Sequence, residues 1–164
     1  MPKIDTFYFP PLKIELITQK DLILKIVLSQ IKKPPFFKQR ITSKAGELAH
    51  EFFIHYFLKK HDPPVILPLN WNMVTPFQKR VFIALITHTN FGQSITYQKL
   101  AHLIGLKNGQ RAIGRALNKN PWPIVIPCHR VIRKNNHIGG YSSGTQVKKI
   151  LLLHEQIYFL DKSI

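Results

Sequence analysis

The only cysteine of the chain lies in the run Ile124-Val125-Ile126-Pro127-Cys128-His129-Arg130-Val131-Ile132. A thiolate is a strong, soft nucleophile, but a free thiol with a pKa of about 8.5 is mostly protonated at neutral pH. It needs a base close by, and His129 is its neighbour, able to take the proton directly or through a water. Adjacent side chains on a strand face opposite ways. For Cys128 and His129 to cooperate, the backbone must leave strand geometry, and Pro127 marks where it can. Glu155 is the only acid after Asp62 apart from Asp161. An isolated carboxylate in so basic a stretch is a candidate to orient the imidazole, as the third member of a catalytic triad does. Asn120, just before Pro121, is suited to hold the bend through side-chain to backbone hydrogen bonds.

Nucleophile, base and orienting acid fit more than one chemistry. A group can be transferred to the sulfur and stay there, or a bond can be hydrolysed through a transient thioester, as in thiol proteases. A third reading is a binding module in which the thiol does nothing.

The charge narrows the substrate. The chain has 24 Lys and Arg against eight Asp and Glu, a formal net charge of +16. Between Pro63 and His154 it carries twelve basic residues and no acidic one. A polyanion is the expected partner, with nucleic acid ahead of an acidic membrane surface. With 45% hydrophobic residues over 164 positions, the chain can bury a real core, which excludes collagen-like and wholly disordered classes. One cysteine excludes an internal disulfide and a Cys-rich zinc site. No run approaches the roughly 20 apolar residues of a membrane span, and no apolar signal core opens the sequence. The expected setting is soluble, reducing and cytoplasmic, at the nucleoid if the source is bacterial.

The elements that must carry these residues can be outlined. Thr6-Phe7-Tyr8-Phe9, Ile14-Glu15-Leu16-Ile17 and Leu22 to Leu28 read as strands, with a hairpin turn at Thr18 to Asp21. Ser43 is placed to cap a helix over 43–60, with Gly46 where a capping box would have Glu. Residues 65–73 read as a linker. Thr75 and Pro76 start a helix whose apolar face is Phe77, Val81, Phe82, Leu85 and Ile86. Thr96 caps a second helix, and a Gly-containing turn leads to a third over 110–118. That is the outline of a helix-turn-helix. The third helix sets Gly109, Ala112, Gly114 and Ala116 beside Arg111 and Arg115, small residues that let backbone approach a partner closely. The expected fold is α+β: an N-terminal α/β domain with a small antiparallel sheet over 1–70, then a helical domain with the helix-turn-helix over 71–164.

The stretch Asn120-Pro121-Trp122-Pro123-Ile124-Val125-Ile126-Pro127-Cys128-His129-Arg130-Val131-Ile132 resembles the active-site signature of the O6-alkylguanine-DNA alkyltransferases. Thr75-Pro76-Phe77-Gln78, Thr96-Tyr97-Gln98-Lys99-Leu100-Ala101, Gln110 to Ala116, Gly139-Gly140-Tyr141-Ser142-Ser143-Gly144 and Leu151 to Glu155 are similar to family segments in the same order. The likeness covers about residues 74–157. Before that, Leu67-Pro68-Leu69 is the clearest similar piece.

The resemblance implies irreversible, single-turnover transfer of an alkyl group from O6 of guanine, and O4 of thymine, in DNA to Cys128 after base flipping. Glu155, His129 and a bridging water would generate the thiolate, Tyr97 would protonate guanine N3, and Asn120 would brace the Cys-His turn. Tyr141, Ser142, Pro123 and Val131 would line the base pocket. Arg111 would fill the stack, with Thr96, Gln98, Gln110, Ala112, Gly114 and Arg115 also facing DNA. The implied partner is double-stranded DNA carrying O6-alkylguanine, held through its minor groove by a monomer, with no cofactor, no metal and no membrane. Gln110 departs from an expected small residue and Ser143 from an expected glycine, so groove contacts and tolerance for bulky substituents should differ.

Overall fold

In the computed structural model, which describes residues 1–32 and 39–161, the chain divides into two compact units, Met1–Met73 and Val74–Ile164.

The first unit is built on strands whose side chains alternate between core and solvent. β1 (Lys3–Phe9), β2 (Leu12–Gln19) and β3 (Leu22–Gln30) form an antiparallel meander. Phe7 and Phe9 in β1, Leu12, Ile14 and Leu16 in β2, and Ile26 and Leu28 in β3 are buried at the period of two that sets one wet and one dry face, and Ile23 joins them across a register shift of the β2–β3 ladder at Ile17 and Thr18. The β2–β3 turn is made by Lys20 and Asp21, both at positive φ, the conformation a tight hairpin demands.

The helix α1 (Lys44–Ile54) starts where Ser43 caps it, its hydroxyl accepting from the Gly46 N–H at 2.9 Å. α1 widens into a π-helical turn, His55–Lys59, and ends with Lys60 in the left-handed region. The chain thus leaves the helix one residue before His61. A carboxylate distant in sequence braces the capping residues. The buried carboxylate of Asp5 accepts from the Ser43 hydroxyl at 2.5 Å and from the Thr42 hydroxyl at 2.8 Å, as well as from the Thr42 N–H. A Cβ at position 46 would lie 2.5 Å from Asp5 Oδ2, so the position is glycine because the carboxylate occupies its side-chain space.

Residues 65–73 are not a free linker. Leu67 and Leu69 are buried, and the backbone pairs with β3, Ile23 donating to the Pro68 carbonyl at 2.8 Å and Asn70 donating to that of Ile23 at 3.1 Å. Apolar side chains on both sides of Pro68 pull the segment onto the sheet edge.

The second unit is helical. α2 (Pro76–His88) opens with a full capping box between Thr75 and Gln78. Its buried face is Gln78, Val81, Phe82, Ala84 and Leu85, whereas Phe77 is half-buried and Ile86 is exposed. Ile86 follows Phe82 by four residues and falls at the margin of the buried arc that runs from Ala84 to Phe82, where solvent reaches it. α3 (Tyr97–Leu103) is capped by Thr96 and α4 (Gln110–Asn118) follows a short turn. α2, α3 and α4 pack on one another, giving the expected helix-turn-helix. A two-stranded parallel ladder joins β4 (Ile95–Thr96) to β5 (Val131–Ile132). α5 (Thr145–His154) closes the unit, burying Val147, Lys148, Leu151 and Leu152.

Alanine is a better helix former than glycine by about 1 kcal/mol, yet Gly46→Ala should destabilise the protein. Overpacking against a carboxylate already fixed by hydrogen bonds costs about 1–3 kcal/mol. A lower midpoint in urea is the expected result; an unchanged or higher one would contradict the packing role given to Gly46.

Candidate active site

The apolar run before the cysteine does not form a strand. Ile124 takes a left-handed conformation with φ of 73°, and the chain reverses so that Ile126 donates to the Trp122 carbonyl at 2.8 Å. The loop's three prolines, Pro121, Pro123 and Pro127, cannot supply ladder donors, which is why a tight reversal forms here. Pro127 then leads into a single 3-10 turn, Cys128–Arg130. Asn120 ties the loop together. Its Nδ2 donates to the Ile126 carbonyl and to Cys128 Sγ, both at 3.0 Å, while its Oδ1 accepts from the Trp122 N–H at 2.9 Å.

Behind the thiol lies a buried ionic cluster. His129 Nε2 and Glu155 Oε1 are 2.6 Å apart, and Glu155 Oε2 accepts from Arg130 Nε at 2.8 Å and from the Gly92 N–H at 3.1 Å. Arg130 also donates to the Thr89 carbonyl at 2.9 Å. All three side chains are buried. Burial by itself would raise the Glu155 pKa, but His129 and Arg130 together hold it down at about 2. For His129, burial outweighs the attraction of Glu155 and pulls its pKa below the ordinary value. The resulting state is an ionised carboxylate beside a neutral imidazole. The carboxylate takes the Nε2 proton in a hydrogen bond, which leaves Nδ1 as the basic nitrogen.

Cys128 is buried, and burial pushes its thiol up; hydrogen bonds from Asn120 and Tyr141 and the charge of Lys148 pull it down less strongly. The resting group is therefore a thiol that must lose its proton during reaction. Lys148 is itself fully buried, with Nζ donating to the Val131 carbonyl at 2.7 Å. Its burial lowers its pKa to about 8.

Cys128 forms part of the wall of a cavity of about 210 Å³, together with Tyr97, Gly114, Leu117, Asn118, Gly140, Tyr141 and Ser142. A larger groove of about 530 Å³ is lined by Thr96, Tyr97, Gln98, Gln110, Arg111, Gly114, Arg133, Lys134 and Gly140. Tyr97, Gly114 and Gly140 border both.

Of the residues singled out from sequence, Tyr141 and Ser142 stand at the cavity, and Arg111, Gln98, Thr96 and Gln110 at the groove. Pro123 and Val131 line neither. Pro123 bridges to Ile126 within the reversal, and Val131 pairs with Ile95 in the parallel ladder. Ala112 and Arg115 sit on α4 outside the groove lining, Ala112 half-buried and Arg115 exposed. The small residues of α4 also divide. Gly114 opens the groove, Ala116 packs inward, and Gly109 leaves room for Leu106, whose Cβ would lie 2.7 Å from a Cβ there.

Sequence reasoning missed Arg130, Gly92, Lys148, Arg133 and Lys134. Arg130 had a legible signal: an arginine beside the proposed base is the natural partner of a lone acid. Nothing local marks Gly92, whose backbone N–H reaches Glu155 only through the tertiary fold.

Among the described residues no helix is long and apolar enough to cross a membrane, and no group of three or more His, Cys, Asp or Glu could hold a metal ion.

Comparison with known proteins bears on the same half of the chain. The methylated-DNA–protein-cysteine methyltransferase of Rattus norvegicus is 49% identical over 82 residues, covering 49% of this chain and 39% of that protein. The protein of that name from Thermococcus sibiricus is 43% identical over 89 residues, covering 54% and 49%. The chain thus matches no more than about half the length of either. Likeness of fold extends further. The crystal structure of Mycobacterium tuberculosis O6-methylguanine methyltransferase superposes with a TM-score of 0.74 at 28% identity, covering 95% of this chain and 93% of that one. That of O6-methylguanine-DNA methyltransferase from Pyrococcus kodakaraensis gives 0.71 at 26%, covering 96% and 100%. The family model of the 6-O-methylguanine DNA methyltransferase DNA-binding domain matches residues 76–157, half of the chain and the part that holds the cysteine, its relay and the groove, and the chain belongs to that family.

Proposed function

We propose that this protein repairs DNA by moving an alkyl group from O6 of guanine, and from O4 of thymine, onto Cys128, once per molecule. The observation that carries the reading is the position of Cys128 Sγ in a cavity wall, with the buried His129–Glu155 pair behind it and a basic groove adjoining the cavity.

A base inside a duplex cannot reach a recessed sulfur, so the damaged nucleotide must be extruded, at a cost of a few kcal/mol that is least for a poorly paired base. Tyr97, Gly114 and Gly140 border both spaces, which suits a backbone in the groove with its base in the cavity. The minor groove of double-stranded DNA, approached by a single protein molecule, is the surface the small-residue α4 suits. Gly114 keeps that wall low, and Arg111 is exposed at the groove, free to enter the vacated stack.

Once the base is seated, His129 takes the thiol proton through a water, and Glu155 stabilises the imidazolium that forms. The sulfur attacks the alkyl carbon, the carbon–O6 bond breaks, and its electron pair passes to the purine. Tyr97 supplies a proton to N3. The product thioether has no leaving group, so the reaction stops after one equivalent. The chemistry needs no cofactor.

The twelve basic residues of the second half do not all serve DNA. Arg130 and Lys148 are buried, while the other ten are exposed or half-buried. These supply sequence-independent phosphate affinity, which should fall steeply with salt. A thiol that must stay reduced suits a cytoplasmic or nucleoid setting.

The direct test uses an oligonucleotide with a labelled methyl group on O6 of guanine. Label should attach to the protein at one equivalent, and Cys128→Ala should abolish it. A mobility shift without labelling would favour a damage-binding module, and turnover past one equivalent a hydrolase. Arg111→Ala should slow reaction with duplex about ten-fold or more beyond its effect on the free base O6-benzylguanine, because only the duplex requires extrusion; equal losses would remove its stack-filling role. Glu155→Gln should slow transfer by about 10²-fold, the scale of acid–base assistance, while leaving DNA affinity nearly intact. The Glu155 pKa is lowered on folding, so its contribution to stability is full above about pH 4.5 and lost as pH falls toward 2. Acid titration of the unfolding midpoint should show this limb in the wild type and a weaker one in the glutamine variant.

A further inference from the structure

In the alkyl-transfer scheme Tyr97 gives up a proton as the carbon–O6 bond breaks. The electron pair moves to the purine, the proton to N3, and a phenolate is left at position 97 while the thiol proton rests on His129. A phenolate forming in a half-buried site needs a compensating charge.

The parallel ladder of the second unit places a cation beside it. Ile95 pairs with Val131 and Thr96 with Ile132, so the next residues in register are Tyr97 and Arg133. Gly139 stands between the two side chains. A Cβ built on it would lie 3.5 Å from the Tyr97 hydroxyl and 3.4 and 3.6 Å from Arg133 Cγ and Nε. The backbone under Arg133 is anchored. Its N–H donates to the His137 carbonyl at 2.8 Å across a reversal in which Asn135 and Asn136 both take positive φ, and Leu160 donates to the Asn136 carbonyl at 2.8 Å. Among the described residues no carboxylate pairs with Arg133. Glu155 is engaged by His129 and Arg130, and Asp161 by Lys149. Its charge is therefore available to the wall it shares with Tyr97.

We infer that Arg133 is a positioning residue for the transfer step: its guanidinium, set by the β4–β5 register and the bare Cα of Gly139, stabilises the phenolate that Tyr97 becomes. The electrostatics agree in sign. Burial raises the Tyr97 pKa and the neighbouring Cys128 raises it further, while Arg133 is the group that lowers it. Without Arg133 the hydroxyl is a weaker acid and a poorer proton donor.

This inference rests on the alkyl-transfer reading, and the test separates the two. Free O6-benzylguanine is the probe, because it carries no phosphate and reports nothing on DNA contacts. Mass gain at Cys128 is followed for the wild type, Arg133→Gln, Arg133→Lys, Tyr97→Phe and the Tyr97→Phe/Arg133→Gln double variant. Arg133→Gln should slow the reaction about ten-fold, the scale of a modest change in donor acidity, and Arg133→Lys should recover most of the rate. With Phe at 97 there is no phenolate to stabilise, so adding Arg133→Gln should change nothing more. An equal loss from Arg133→Gln in both backgrounds would overturn the inference, as would an unchanged rate. A wild-type protein that gains mass neither from O6-benzylguanine nor from the O6-methylguanine oligonucleotide would overturn the alkyl-transfer reading and this inference with it.

Discussion

The buried carboxylate of Glu155 is the constraint around which the second unit is arranged. It accepts hydrogen bonds from an imidazole, a guanidinium and a backbone N–H, from His129, Arg130 and Gly92. A buried carboxylate without partners would cost several kcal/mol. The three donors come from two segments distant in sequence, and the acceptor from the end of α5, so the cluster exists only when α5, the turn after α2 and the Cys128–Arg130 turn have docked. One interaction thus ties three parts of the fold and sets the histidine tautomer. Arg130 neutralises the carboxylate, which lets His129 stay neutral and basic while a full negative charge sits beside it. A lone His–Glu pair buried to this degree would face a choice between two ions and two neutral groups. The arginine removes it.

That arrangement divides the basic residues by task. Arg130 and Lys148 lie inside and act on the cysteine and its relay, whereas Arg111, Arg133 and Lys134 line the groove. A net charge read from the sequence treats them alike. Burial distinguishes them, because an interior cation must be matched by a specific acceptor and a surface cation is held by water. The same logic governs the first unit. There the buried Asp5 carboxylate collects the donors of Thr42 and Ser43 at the start of α1, and Gly46 is small to make room for it.

Regular elements were legible where local signals agree. Thr75 with Pro76, Thr96 and Ser43 are all caps in the structure, since a cap needs only a side-chain oxygen and a free N–H a few residues on. The hairpin at Lys20 and Asp21 followed from alternation on either side. Legibility failed where packing across the fold decides. Ile86 has the composition of a core residue and faces solvent. Residues 65–73 have the composition of a linker and pair with β3. Residues 124–126 have the composition of a buried strand and form a reversal, because Asn120 and the surrounding prolines favour it over a ladder.

By itself the sequence determined which atoms can react and in what order they occur along the chain: one thiol, a histidine beside it, an acid at Glu155 downstream, and small and basic residues on a helix. Those are properties of residue type and spacing, which the chain carries whether or not it is folded. Only the tertiary structure decided that Arg130 and Gly92 complete the relay, that burial pushes the thiol pKa up further, that Pro123 and Val131 belong to the reversal and the ladder, and that Arg133 meets Tyr97. Each of these depends on a distance between residues remote in sequence or on exclusion of water. Both arise only when the elements pack.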